Sequence, residues 1–133
     1  MRSIEDVGRD LLSFHGAIQY VGIFKDYDKL ICKYFKSNEG ELEAQEVEIA
    51  EGARSRWHGR LSLSHNLGKP LCSFTQYEKA IRLTFYYDDY MILIRTKPIE
   101  DYPLLIERIR QKLKDQEPFM HEKSETEKNT ENL

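Results

Sequence analysis

The 133-residue chain is long enough for one domain with a single core, and its 40% hydrophobic and 32% charged residues are ordinary for a globular protein with a solvated extension. Its formal charge of -3 arises after residue 115, where five glutamates face two lysines, so residues 1–115 are formally neutral. This balance excludes the basic footprint of a nucleic-acid-binding domain. Because no apolar run is long enough to span a bilayer and the start lacks a signal-peptide apolar centre, we expect a cytoplasmic protein.

The first predicted elements are a helix and a hairpin. Residues 4–14 have apolar side chains at helical spacing, with Ser3 as the N-cap and Gly16 after the end. Residues 17–24 and 29–36 form two strands around an Asp-rich turn. The first strand is apolar on both faces, and strict alternation assigns Ile18, Tyr20 and Phe24 to one face and Val21 and Ile23 to the other.

The middle of the chain predicts a second, longer helix over residues 41–61. Its apolar stripe contains Leu42, Ile49, Ala53, Trp57 and Leu61, with Val47 and Ala50 at its margin. The first half of this middle helix is acidic and the second half is basic; the charged side chains are Glu41, Glu43, Glu46, Glu48, Glu51, Arg54, Arg56 and Arg60. The helix macrodipole favours this order of signs.

Three strands and a third helix follow. We expect strands at residues 71–77, 80–87 and 90–97, and a helix at residues 101–114 after Pro98. In the last strand Tyr90, Ile92 and Ile94 lie on one face and Met91 and Leu93 on the other, so both faces are apolar. Residues 116–133 are polar and without period, which predicts a disordered acidic tail after a domain at residues 1–115.

The polarity of the strands predicts their order in the sheet. A strand that is apolar on both faces must be covered on both faces, so the first and last strands are central neighbours. The fold class is therefore α/β (α+β), a three-layer α/β/α sandwich around a five-stranded antiparallel sheet of order 2-1-5-4-3, with element order α-β-β-α-β-β-β-α. Two helices cover one face, and the middle helix covers the other.

Two segments resemble the roadblock / dynein light chain family of the profilin-like and longin-like group. GAIQYVGIFKDYDKLI is similar to the opening hairpin of that family, and YEKAIRLTFYYDDYMILIRTKP is similar to its closing hairpin. Over residues 3–114 the resemblance implies a dimer that pairs through the middle helix and the third strand. It also implies a role as a scaffold, with a Ras-like small GTPase or a larger complex as partner.

The charge pattern of the middle helix also favours a dimer. If two copies lie antiparallel about Ala50 and Ala53, the acidic half of one faces the basic half of the other, as a two-fold interface requires. The expected interface, including the third strand that the resemblance adds, consists of Glu43, Glu46, Ala50, Ala53, Arg56, Trp57, Arg60, Leu71, Ser73 and Thr75. The simpler interpretation is a solvated charged face, because surface ion pairs contribute little to stability.

Other sites have weaker support. The basic residues around Trp57 are an alternative phosphate or RNA site, although Trp57 lies on the apolar stripe. Around the last hairpin turn, Tyr86, Tyr87 and Tyr90 are either a recognition patch or, more often in such hairpins, cross-strand packing.

We expect no catalytic site, cofactor or metal. The pairs Ser64–His65, Asp88–Asp89 and Cys72–His65 lack a group that orients a nucleophile and its base. Cys32 and Cys72 lie in apolar strands and are expected as buried thiols rather than a disulfide.

The leading interpretation is a non-catalytic interaction module, a homodimer or a dimer with a paralogue. The alternative is a PAS-like small-molecule sensor, which also packs helices on a five-stranded sheet. A PAS chain places more than one helix between its second and third strands, whereas this sequence predicts one.

Overall fold

A computed structural model of the chain describes residues 3–26, 29–36, 66–87 and 89–115. In chain order these residues form α1 (Ile4–Phe14), β1 (Ile18–Lys25), β2 (Lys29–Phe35), β3 (Cys72–Gln76), β4 (Ile81–Tyr87), β5 (Tyr90–Thr96) and α2 (Tyr102–Asp115). The predicted middle helix and acidic tail lie outside the described residues.

The five strands form one antiparallel sheet of order β2-β1-β5-β4-β3, which confirms the predicted order. The central strands β1 and β5 are buried on both faces, because each contributes apolar side chains to two separate clusters. In β5, Tyr90, Ile92 and Ile94 belong to one cluster and Met91 and Leu93 to the other, as the alternation predicts. Covering two apolar faces is therefore what makes these strands neighbours.

Both described helices cover the same face of the sheet. Ile4, Val7 and Leu11 of α1 and Leu105, Ile109 and Leu113 of α2 belong to one buried cluster. This larger cluster also contains strand residues from the centre of the sheet: Ile18, Val21, Ile23, Ile81, Leu83, Phe85, Tyr90, Ile92 and Ile94. The smaller cluster on the opposite face contains Tyr20, Phe24, Tyr86, Met91 and Leu93, with Phe35 packed against it.

The assignment of Ile18 to the face of Tyr20 is wrong. Ile18 lies opposite Thr96 and Tyr20 opposite Arg95, so Gln19 is one extra residue in β1. A bulge of this kind interrupts the alternation of side chains, and Ile18 joins Val21 and Ile23 in the larger cluster.

The ends of α1 are fixed by side chains. The Ser3 hydroxyl accepts a hydrogen bond from the Asp6 amide at 3.1 Å, which confirms Ser3 as the N-cap. At the other end, Lys36 Nζ donates to the carbonyls of His15 and Gly16 at 3.0 and 3.3 Å. The carboxyl end of α1 is thus held to the end of β2.

Cys32 and Cys72 are free thiols, as expected, but both are only partly buried. Cys32 lies on β2 and Cys72 on β3, the two edges of the sheet. Four strand spacings separate these edges, ~19 Å in all. The two thiols of one chain therefore lie too far apart for a disulfide.

Among the residues that the structure describes, neither helix combines the length and apolar character needed to cross a membrane.

Candidate interaction surface

The two edge strands of the sheet differ in charge. Lys29 and Lys33 of β2, with Lys36 after it, are exposed, and the pairing of β2 with β1 contains a bulge. Lysines and bulges are features by which proteins keep an edge strand from pairing with another chain. The sequence of β3 is CSFTQ, which carries no charge. Among the described residues, β3 is therefore the edge that lacks these protective features.

Within the described ranges, β3 pairs with β4 alone, from Cys72 opposite Phe85 to Gln76 opposite Ile81. Its side chains alternate between the two faces of the sheet. Phe74 lies on the face of α2, where its ring centroid is 5.2 Å from that of Tyr102. Ser73 and Thr75 lie on the other face, because their partners Thr84 and Arg82 alternate with the residues of the larger cluster.

Large apolar side chains are exposed along this strand. Leu71, Phe74 and Tyr77 are 60%, 50% and 53% exposed. We define the β3 edge surface as Leu71, Ser73, Phe74, Thr75 and Tyr77. An exposed, uncharged strand edge with apolar side chains on both sides of it has the character of an interaction surface.

Part of the predicted interface can be located. Leu71, Ser73 and Thr75 lie together on the β3 edge surface, where Thr75 is exposed and Ser73 half-buried. Seven further predicted interface residues lie outside the described residues: Glu43, Glu46, Ala50, Ala53, Arg56, Trp57 and Arg60. Sequence reasoning missed Phe74 and Tyr77, and the absence of charge from residues 71–77 is the signal that could have found them.

The tyrosines around the last hairpin are packed, so the alternative of a recognition patch is wrong. Tyr90 is fully buried and Tyr86 is 7% exposed, and the two belong to different clusters. Tyr87 is partly buried, and its hydroxyl donates to the Arg110 carbonyl at 3.5 Å.

Burial raises the pKa of the Cys32 thiol to about 11, although a hydrogen bond with the Tyr34 side chain lowers it in part. Since the thiolate is the reactive form, Cys32 is a poor nucleophile at neutral pH. Ser64, His65 and Asp88 of the other pairs considered above lie outside the described residues. In the described part of the chain, no group of three His, Cys, Asp or Glu side chains is arranged to hold a metal ion.

No protein-family model matches the sequence, and a search of curated proteins found no match. Solved structures do match. A Roadblock/LC7 domain from Streptomyces avermitilis aligns with a TM-score of 0.65 at 9% identity, over 87% of this chain and 96% of the other. MglB from Myxococcus xanthus aligns with a TM-score of 0.59 at 12% identity, over 98% of both chains. The gliding protein MglB from Thermus thermophilus aligns with a TM-score of 0.59 at 12% identity, over 80% of this chain and 82% of the other. The chain therefore has the roadblock fold.

Proposed function

We propose that this protein is a non-catalytic, cytoplasmic interaction module that forms a dimer through the β3 edge surface and the middle helix. The difference between the two sheet edges carries the proposal. Lysines protect β2, whereas β3 presents an uncharged backbone edge between exposed apolar side chains. A two-fold axis at this edge pairs β3 with β3 of a second copy, antiparallel, and buries Leu71, Phe74 and Tyr77.

The charges of the middle segment support the same arrangement. In an antiparallel pair centred near Ala50 and Ala53, Glu43 of one copy faces Arg60 of the other. Each pair occurs twice about the axis, so its effect on association is doubled.

A single charge in the β3 edge tests the strand contribution. Thr75 is exposed and points away from α1 and α2. We expect Thr75→Lys to lower the dimer fraction in analytical ultracentrifugation, because two lysines then meet close to the two-fold axis. Leu30→Lys, which adds the same charge to an exposed position on β2, is the matched control and is expected to leave the dimer fraction unchanged. A monomeric wild type, or a Thr75→Lys dimer as stable as wild type, contradicts the proposal.

A charge exchange tests the helix contribution separately. Arg60→Glu places acids opposite each other and shifts the protein toward monomer, and adding Glu43→Lys restores association. Both effects are expected to be largest at low salt, where charges are least screened. If Arg60→Glu leaves the dimer fraction unchanged, these charges are a solvated face and the strand edge alone holds the dimer.

The proposal extends to the class of protein that the dimer binds. The roadblock resemblance favours a Ras-like small GTPase or a larger scaffold complex, and a paralogue is a second candidate for the other half of the dimer. Binding of candidate GTPases loaded with GDP or with a non-hydrolysable GTP analogue, measured against wild type and Thr75→Lys, tests this choice. The PAS-like sensor alternative instead requires a monomer that co-purifies with a small ligand.

A further inference from the structure

The backbone of β3 directs alternate residues toward β4 and away from it. The Leu71 carbonyl accepts a hydrogen bond from the Tyr86 amide at 3.1 Å. At the other end of the strand, the Tyr77 amide donates to the Ala80 carbonyl at 2.8 Å. In an antiparallel pair of strands, every second residue makes such bonds, so the odd-numbered residues of β3 bond to β4. The residues whose backbone groups face away from the described sheet are Cys72, Phe74 and Gln76.

This alternation limits how the β3 strands of two copies can pair. In an antiparallel arrangement, an outward-facing residue of one strand must lie opposite an outward-facing residue of the other. A two-fold axis then passes between two identical residues, one from each copy. Three registers keep most of β3 paired, with the axis at Ser73, Phe74 or Thr75.

Backbone hydrogen bonding favours the register with Phe74 on the axis. Cys72 then lies opposite Gln76 of the second copy and Phe74 lies opposite its equivalent, so every outward-facing backbone group of β3 has a partner. With the axis one residue earlier, Gln76 lies opposite Pro70, which has no amide hydrogen to donate. With the axis one residue later, Cys72 lies opposite Glu78, beyond the end of the strand.

The exposed side chains of the β3 edge surface favour the same register. Leu71 and Tyr77 lie on the same sheet face as Thr75, because an even number of residues separates them. With Phe74 on the axis, Leu71 lies opposite Tyr77 of the second copy, so that each apolar side chain meets another. Moving the axis by one residue places Leu71 opposite Thr75 or opposite Lys79 instead. Of the three registers, the one centred on Phe74 therefore matches apolar with apolar side chains.

We propose that two copies pair their β3 strands antiparallel with Phe74 on the two-fold axis, and that Tyr102 of each copy completes the contact on the face of α1 and α2. The inference rests on the proposed dimer and adds the register of its strands. In one copy the ring centroids of Phe74 and Tyr102 are 5.2 Å apart. Placing Phe74 opposite its equivalent joins two such pairs into a cluster of four rings that neither copy forms alone. Aromatic cross-strand pairs of this kind stabilise a sheet.

Disulfide formation between introduced cysteines tests the register. In a Cys72→Ser background, Ser73→Cys in one copy lies opposite Thr75→Cys in the other, with Cα atoms about 4.5 Å apart, a separation that a disulfide spans. Identical introduced cysteines are offset by two residues and lie about 8 Å apart, too far for a disulfide. We expect mild oxidation of the two variants mixed together to give a disulfide-linked dimer, and either variant alone to give little. Mass spectrometry identifies the joined residues.

The outcomes separate the register from the dimer itself. A disulfide-linked dimer from Ser73→Cys alone, or from Thr75→Cys alone, puts that residue on the axis and overturns the proposed register while the dimer stands. No disulfide in any combination, in chains that analytical ultracentrifugation shows to be dimers, overturns the pairing of β3 with β3. A monomeric wild type contradicts the proposed function and this inference with it.

A charge pair gives a second readout in chains that keep both native cysteines. Leu71→Lys is expected to lower the dimer fraction in analytical ultracentrifugation, and adding Tyr77→Glu to recover at least half of that loss, because the two positions lie opposite each other twice about the axis. Leu71→Lys with Thr75→Glu is the matched control and recovers nothing, since these positions face each other when the axis is at Ser73. Absence of recovery in the first double variant, or equal recovery in the two, contradicts the register.

Discussion

Gly22 occupies a position in the central strand β1 where a glycine ordinarily weakens a sheet. Its role follows from Tyr20, two residues earlier on the same face. The side chain of Tyr20 is 2% exposed and folds over Gly22, so that a Cβ at Gly22 would lie 2.8 Å from Tyr20 Cζ. The space that a side chain at Gly22 would need is therefore already filled by Tyr20 of the smaller cluster.

Gly22→Ala is expected to destabilise the protein by about 1–3 kcal/mol, the usual cost of overpacking a core. Tyr20 cannot move aside easily because it is buried and its ring packs against Phe35 at 4.8 Å between centroids. Urea unfolding measures the change. Gly16→Ala is the control, since no atom of the described residues lies within 4 Å of a Cβ placed there. Equal stability of the two variants would show that Tyr20 does not occupy this space.

The reactivity of Cys32 reports its burial. In a Cys72→Ser variant, we expect the alkylation rate of native Cys32 to keep rising with pH toward about 11, whereas the urea-unfolded chain reaches half its maximal rate near 9.0. The folded state holds the Cys32 proton more tightly than the unfolded state does. The contribution of Cys32 to the free energy of unfolding is therefore complete below pH 9.0 and is lost as the pH rises from 9.0 to about 11. A native midpoint equal to the unfolded one would contradict the assigned burial.

At the scale of elements, α1 shows how one residue type acts differently by position. Ser3 precedes the helix and accepts a hydrogen bond from the Asp6 amide, which otherwise has no partner in the helix. Ser13 lies in the last turn, exposed, and its hydroxyl donates back to the carbonyls of Arg9 and Asp10. The first serine supplies a missing partner, whereas the second competes with the helical backbone.

Ser3→Ala is expected to cost about 0.5–2 kcal/mol of stability through loss of the cap. Ser13→Ala in the same helix is expected to be neutral or slightly stabilising, because alanine has the higher helix propensity. Thermal unfolding of the two variants gives the comparison. The interpretation fails if both substitutions lower the melting temperature equally.

The sequence predicts the helices and strands correctly where the local signals, such as a capping residue, coincide with the pattern of apolar residues. The bounds of α1 follow from Ser3 and the apolar spacing, and the sheet order follows from two strands that are apolar on both faces. The bulge at Gln19 was not predictable, because isoleucine at position 18 fits either face and hydrophobicity carries no record of an inserted residue. Exposure of Phe74 was missed for a different reason: the predicted order already places its strand at an edge of the sheet, but an aromatic residue in a strand normally indicates burial.

At the scale of the whole molecule, the described core ends close to the end of α2. Leu113 is fully buried in the larger cluster, and Lys112 Nζ lies 5.2 Å from the centroid of the Phe14 ring of α1. Beyond Asp115 the sequence carries five glutamates and few apolar side chains, a composition that predicts too little burial to offset the entropy of ordering. We therefore propose that the domain comprises residues 1–115 and that residues 116–133 contribute nothing to the free energy of unfolding.

Deleting residues 116–133 is expected to leave the melting temperature and the dimer fraction unchanged, because all the side chains of the two clusters remain. Ending the chain three residues earlier, after Lys112, also removes Leu113. We expect this shorter chain to lose about 2–5 kcal/mol, the range for deleting a buried leucine side chain, and to melt several degrees lower. Calorimetry of the two truncations and the full chain separates the outcomes. If deletion of residues 116–133 alone already lowers the melting temperature by several degrees, the tail contributes to the fold and the predicted boundary at residue 115 is wrong.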